Sequence, residues 1–350
     1  MTSVPGKRRA DRRRAGTRRR APRPPAAFTE VAALATEAVN PRTRRLDRAS
    51  TLGVLKLLNR EDLLVAPAVR QVLPDVARAV EIVVAALRQG GRVFYVGAGT
   101  SGRLGVLDAA ECPPTFGTPP ALFQGIMAGG PRAVFRAQEG SEDRREGARR
   151  ALGRRGVTSG DVVIGLAACK RTPFVVAALE AARRLGAPTV YVTCNPRPLA
   201  RSVAGARAAG ATGGADYADL ADVVIAVDVG PEALMGSTRL KSGTAEKMVL
   251  NMISTASMVR LGKVYCNLMV DLKATSEKLR QRSVRIIMLA SGCSYDQAVR
   301  SLEAAGGSVK TAVVMRLAGV TRRRALRLLE QASGSVRDAL GARTRMRGGG

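Results

Sequence analysis

From Pro74 to about residue 262, amphipathic stretches alternate with short runs rich in Val and Ile, and the alternation predicts helices and strands in turn. A helix over Pro74–Gln89 (PDVARAVEIVVAALRQ) leads into a strand over Arg92–Gly97 (RVFYVG). Further strands are expected at Ala121–Ile126, Asp161–Ala168, Thr189–Cys194 and Asp222–Asp228, with helices near 98–110, 143–153, 172–186 and 243–262. Strands that read as near-continuous apolar runs between helices are covered on both faces, so the expected class is α/β with a doubly wound, mostly parallel sheet. Ligands in such sheets lie beyond the carboxyl ends of the strands.

After about residue 276 the strand signal stops. Short helices are expected near 276–291, 296–304, 308–317, 321–331 and 333–340, with Ser294 and Thr321 at N-cap positions and Gly306 and Gly319 at helix ends. The chain thus divides into a tail over 1–25, an α/β domain with a helical lead-in over 26–275, a helical C-terminal subdomain over 276–342 and a flexible end over 343–350. No repeat at a solenoid period is visible.

Charge changes the picture mainly at the ends. The 57 Lys and Arg outweigh 28 Asp and Glu, giving +29, and residues 1–25 alone carry ten basic groups against one acid. That segment is too polar and Pro-rich to bury surface, so it is expected to be disordered. It lacks the apolar stretch of a signal peptide, and no run of 18 apolar residues offers a membrane span, which points to a soluble, cytoplasmic protein with no membrane partner. With 3% aromatic residues and no recognition motif, no nucleic-acid partner is expected beyond non-specific contacts of the basic tails.

Composition also limits the chemistry. The chain has no His, which removes imidazole bases, Ser-His pairs and His metal ligands. The five Cys are widely spaced with no C-x-x-C pair, so no zinc site or disulfide framework is indicated. Proton transfer falls to Glu, Asp, Lys, Tyr or Cys.

The richest stretch is Gly97-Ala98-Gly99-Thr100-Ser101-Gly102-Arg103, between a strand and a helix. It matches the dinucleotide pattern G-x-G-x-x-G, but about twenty residues on stand Leu122, Phe123 and Gln124 in place of the acid that would hold a ribose. Thr100 and Ser101 point instead to a phosphate monoester seated at a helix N-terminus. Three more loops follow strands: Arg171-Thr172-Pro173, Thr193-Cys194-Asn195-Pro196, and Gly236 to Lys241 (GSTRLK). Hydroxyls plus a cation at successive strand ends suit a phosphorylated ligand, although a Ser or Thr before a helix also serves as an ordinary N-cap.

The chain resembles the N-acetylmuramic acid 6-phosphate etherases, which are built on the sugar isomerase (SIS) domain. The resemblance is carried by Thr36-Glu37 with Asn40-Pro41, Asp47–Thr51 (DRAST), Tyr95–Gly117 (YVGAGTSGRLGVLDAAECPPTFG), Ala128-Gly129-Gly130, Glu139–Asp143 (EGSED), Gly236–Lys247 (GSTRLKSGTAEK) and Gly262–Leu279. It implies removal of a D-lactyl ether from C3 of the sugar phosphate without metal or cofactor, and a homodimer. It also implies that Glu111 is the proton donor and Glu142 the second catalytic acid, with Gly99, Thr100, Ser101, Arg103, Cys169, Thr172, Ser237, Thr238 and Lys241 binding the sugar phosphate. Without the resemblance, Glu111 reads rather as a helix-end acid and Glu142 as one of several surface acids in SEDRREG.

Four positions depart from the family pattern. Cys169-Lys170 stands where Ser-Gly is expected, Cys266 where Gly is expected and Ser276 where Asn is expected. A non-catalytic sugar-phosphate sensor resembling the glucokinase regulatory protein is the alternative reading.

Overall fold

A computed structural model describes residues 25, 28, 32–169, 172–195, 220–272 and 276–347, with side chains described through Gly341. The N-terminal tail over 1–24, Lys170, Arg171 and Pro196 lie outside the described residues. Two lead-in helices, α1 (Thr51–Asp62) and α2 (Val65–Gln71), precede α3 (Leu73–Arg88). Ser50 opens α1 by accepting the Gly53 N–H at 3.2 Å, which satisfies one of the free donors of the first turn.

The α/β core then runs β1 (Val93–Gly97), α4 (Gly99–Phe116), β2 (Phe123–Met127), α5 (Arg132–Phe135), α6 (Arg145–Arg154), β3 (Val162–Leu166), α7 (Pro173–Arg184), β4 (Thr189–Thr193), β5 (Val223–Ala226) and α8 (Lys241–Arg260). The five strands pair in parallel in the order β2-β1-β3-β4-β5, the doubly wound class expected. Alternate residues face opposite sides of the sheet. Val93, Tyr95, Ile164, Val192 and Ile225 pack with Val80 of α3, Cys112 of α4 and Ile253 of α8. Phe94, Val96, Val163, Tyr191 and Val224 pack with Leu152 of α6 and Leu179 of α7. Because β2 and β3 flank β1 on opposite sides, the strand order reverses between β1 and β3, and the carboxyl ends of those two strands frame the place where such sheets bind ligands.

α4 rides unusually close to β1. A Cβ on Gly102 would lie 2.8 Å from the Gly97 carbonyl oxygen, and one on Gly105 would lie 2.8 Å from the Tyr95 Cβ, so both positions require glycine. The helix also outruns its expected end at 110. It continues through Pro113 and Pro114 to Phe116 and closes on Gly117 in the left-handed region, whose N–H reaches the Pro113 carbonyl at 2.9 Å. Prolines so near the end remove few helical hydrogen bonds, and buried Cys112 and Phe116 hold the last turns down.

A two-stranded hairpin, β6 (Val264–Tyr265) with β7 (Leu268–Met269), was not foreshadowed by any run of apolar residues. Cys266 turns it at φ +53°, a conformation suited to the glycine expected there. The C-terminal subdomain comprises α9 (Glu277–Ser291), α10 (Tyr295–Ala304), α11 (Val309–Ala318), α12 (Arg322–Gln331) and α13 (Val336–Arg347) around Val284, Ile287, Leu302, Val313 and Leu328. The last helix runs past residue 342, where a flexible end was expected to begin. Ser276 caps α9 through the Leu279 N–H at 3.3 Å, and Ser294 forms a capping box with Gln297. Thr321 occupies the N-cap of α12 but bonds no helix N–H. Among the described residues no helix is long and apolar enough to cross a membrane.

Candidate active site

The loop after β1 turns sharply at Gly99, φ +53°, and enters α4 from an extended Ala98 that supplies no side-chain cap. The first N–H groups of the helix are therefore left for another acceptor, and the helix dipole favours an anion there. The GSTRLK loop lies against it. Thr100 Cγ2 is 3.5 Å from the position a Cβ would take on Gly243, and the Gly243 N–H bonds the Thr238 carbonyl at 2.9 Å.

The segment around Thr36 closes the carboxyl ends of β3 and β4. The Ala35 N–H donates to Asn195 Oδ1 at 3.1 Å, Asn195 Nδ2 donates to the Ala168 carbonyl at 2.9 Å, and the fully buried Thr36 hydroxyl meets Cys169 Sγ at 3.6 Å. Burial pushes the Cys169 thiol up, while its bonds with Thr36 and Thr238 pull the other way. Thr172 stands at the N-cap of α7 without capping it, so its hydroxyl is not spent on the helix. Glu142 belongs to the same corner: its carbonyl accepts the Phe174 N–H at 2.9 Å, which fixes the EGSED loop onto the first turn of α7. Gly99, Thr100, Ser101, Cys169, Thr172, Ser237 and Thr238 are thus gathered at one edge of the sheet, with Glu142 beside them.

Two of the expected ligand-binding cations are committed elsewhere. Lys241 is fully buried, and its Nζ donates to Glu61 Oε2 and to the Val229 carbonyl, each at 2.8 Å. It is an internal strut between α8 and α1. Arg103 donates to the Val134 and Ala133 carbonyls at 2.9 and 2.8 Å, closing the C-terminal end of α5. Both contacts satisfy groups that would otherwise be buried or at a helix end without partners, which is why the cations turn away from the loop edge. The N-terminus of α8 is also closed to a ligand, because buried Glu232 accepts the N–H groups of Lys241 and Ser242 at 3.0 and 2.9 Å and the Ser242 hydroxyl at 2.7 Å.

Glu111 stands at the far end of α4 from the phosphate loop. It lies ten residues beyond Ser101 on α4, about 15 Å along the axis at 1.5 Å per residue, and it is exposed. One turn before it, buried Asp108 accepts the Tyr95 hydroxyl at 2.8 Å, Asn251 Nδ2 at 2.7 Å and the Ser254 hydroxyl at 3.1 Å, which locks α4 to α8.

Glu246, which sequence reasoning left unassigned, is buried beside the loop after β1. Ser101 Oγ donates to its Oε1 at 3.0 Å, and burial raises its pKa to about 8, partly opposed by that bond. Its spacing from Lys241 and Gly243 on an otherwise polar first turn gave no sign of burial. Glu232 was equally hidden, since no motif contained it.

A sequence model of the glucokinase regulatory protein N-terminal SIS domain matches residues 75–183. An N-acetylmuramic acid 6-phosphate etherase of Symbiobacterium thermophilum is 54% identical over 285 residues, spanning 81% of this chain and 89% of that protein. This chain belongs to the N-acetylmuramic acid 6-phosphate etherase family. Etherases of Salinibacter ruber, 54% identical over 82% of this chain and 87% of theirs, and of Clostridioides difficile, 49% identical over 80% and 86%, show the same extent. The etherase likeness therefore spans about four fifths of this chain.

Proposed function

We propose that the protein cleaves the D-lactyl ether of N-acetylmuramic acid 6-phosphate, giving N-acetylglucosamine 6-phosphate and D-lactate. The observation that supports this, beside family membership, is that the Ser101 and Thr172 loops at the carboxyl ends of β1 and β3 each open a helix whose N-terminus has no side-chain cap and so is free to receive a 6-phosphate. Opening of the sugar ring places C2 beside an aldehyde, which acidifies its hydrogen. Glu142 takes the C2 proton, the C3–O bond breaks with its electron pair on the lactyl oxygen, and Glu111 protonates that oxygen. Water then adds across the resulting double bond, its oxygen to C3 and a proton to C2. Two carboxyls in different surroundings divide acid and base duties in a chain without His.

Glu111 is too far from the phosphate loop to serve the substrate held by its own chain, so the reading includes a homodimer in which each copy lends Glu111 to its partner's site. The exposed surface next to Glu111 supports a partner there: Leu107 is 49% exposed on the same helix, and a groove beside it is lined by Met248, Asn251, Met252, Thr255 and Ala256 of α8. The five cysteines are all free thiols, which supports a cytoplasmic role in recycling cell-wall amino sugars.

The test is incubation with N-acetylmuramic acid 6-phosphate and an assay for D-lactate. Release of lactate is expected. Binding of the sugar phosphate with no lactate would replace the enzyme reading with that of a sensor.

A further inference from the structure

Ser101 Oγ lies 3.0 Å from Glu246 Oε1, and its one hydroxyl proton is donated there whenever that carboxyl is ionised. In that arrangement the serine offers lone pairs to whatever occupies the loop. A phosphate dianion needs the opposite, a donor. Glu246 is 1% exposed, and its second oxygen, Oε2, has no hydrogen-bond partner among the described residues. A buried oxygen left unmatched beside a helix N-terminus is costly unless a proton or a ligand satisfies it.

We propose that Glu246 is the positioning residue for the phosphoryl group: in the ligand-bound state its carboxyl is protonated and donates to Ser101 Oγ, which turns the serine proton onto a phosphoryl oxygen. The proposal rests on the reading that the 6-phosphate sits at Ser101. The direction of one hydrogen bond then decides whether the loop accepts or repels an anion, and binding takes up one proton wherever Glu246 is ionised in the free protein.

The surroundings favour the protonated form. Among the described residues, the titratable groups that face Glu246 are the Cys169 thiol beyond β3 and the Cys194 thiol beyond β4, and each is itself pushed up by burial and by the nearby Glu246 charge. The Glu232 carboxylate is satisfied by the Lys241 and Ser242 N–H groups and the Ser242 hydroxyl, and the Lys241 ammonium by Glu61 and the Val229 carbonyl. Among the described residues no cation contributes to the shift of Glu246, whose pKa of about 8 comes from desolvation. A free phosphate monoester loses its second proton near pH 6, so above pH 7 the ligand stays a dianion and titration of the protein is seen alone.

The experiment is calorimetry with N-acetylglucosamine 6-phosphate from pH 7 to 9.5, in buffers of different ionisation enthalpy so that proton uptake is counted. For the wild type, Kd should rise about tenfold per pH unit above about 8, with uptake approaching one proton. E246Q carries a permanent amide donor, so it should bind at least ten times more tightly than wild type at pH 9.5, with a flat profile and no uptake. S101A should bind weakly at every pH and also lose the proton uptake, and it decides the matter should E246Q fail to fold. A wild-type profile that is flat above pH 8, or one that persists in E246Q or S101A, overturns the assignment. Absence of binding by the wild type at any pH would instead defeat the sugar-phosphate reading on which it stands.

Discussion

Lys241 Nζ and Glu61 Oε2 meet 2.8 Å apart where neither side chain touches solvent, so a charge pair links residues 180 positions apart at the foot of the loop edge. Arg42 and Asn40 complete the cluster, donating to the same carboxylate at 2.8 and 2.9 Å. Removing one member strands the other. Glu61→Ala should lower unfolding free energy by about 3–5 kcal/mol, the cost of leaving a buried charge unpaired, as measured by denaturant titration. A loss under about 1 kcal/mol would mean that Lys241 finds water or another acceptor.

The same cluster sets an acid limit. Arg42 foremost, then Lys241 and Asn40, hold the Glu61 carboxyl down to about 2, against an ordinary value of 4.5 and against desolvation. A carboxyl whose folded pKa is depressed stabilises above its unfolded pKa and loses that contribution as pH falls toward the folded one. The stability curve of the wild type should therefore drop between pH 4.5 and 2 by more than that of Glu61→Gln, read from thermal melts at each pH.

Ser101→Ala should weaken binding of N-acetylglucosamine 6-phosphate at pH 7 by about 1.5–3 kcal/mol, the scale of a hydrogen bond to a charged group. Thr172→Ala and Ser237→Ala should each act in the same direction, and Lys241→Met should act mainly on stability. A Lys241 variant that folds normally and loses the ligand would restore the lysine to the phosphate site.

The two glutamates separate by isotope exchange. In D₂O, Glu111→Gln should still exchange the C2 hydrogen of N-acetylglucosamine 6-phosphate while releasing little lactate from the ether, and Glu142→Gln should lose both. Mixing the two inactive variants under conditions that let subunits exchange should restore roughly a quarter of wild-type turnover, because half the dimers are mixed and each holds one intact site. Failure of the mixture to recover would place both acids within a single chain's site.

Cys266 takes φ +53°, where a side chain costs about 1–2 kcal/mol relative to glycine, less what glycine loses in the unfolded chain. Cys266→Gly should raise unfolding free energy by about 0.5–1 kcal/mol, with no change in sugar-phosphate affinity. Destabilisation would show that the contact from Arg337 Nη2 to the thiol, at 3.7 Å, outweighs the backbone strain.

The strands and the loops after them were legible because full burial leaves uninterrupted apolar runs such as Val162–Leu166, and because glycine and hydroxyl residues crowd the places where a backbone approaches an anion. Side-chain direction was not legible. The basic residue in GSTRLK faces inward because its partner Glu61 comes from a helix 180 positions earlier, and no local pattern announces such a pairing. Glu246 and Glu232 were hidden for a related reason: an acid on a polar helical turn reads as solvated until tertiary packing covers it. The hairpin at Val264–Met269 escaped notice because two-residue strands are too short to show alternation.

The close seating of α4 on β1 has a mechanical effect. Gly97, Gly102 and Gly105 leave no slack beneath the helix, and the Asp108 clasp fixes its far half to α8, so it moves as one rod. The phosphate seat is at one end of that rod and the acid offered to the neighbouring copy is at the other. A ligand that shifts the first shifts the second, which makes the two catalytic centres of a dimer hear each other: occupancy on one side retunes proton delivery on the other, and successive turnovers cease to be independent events.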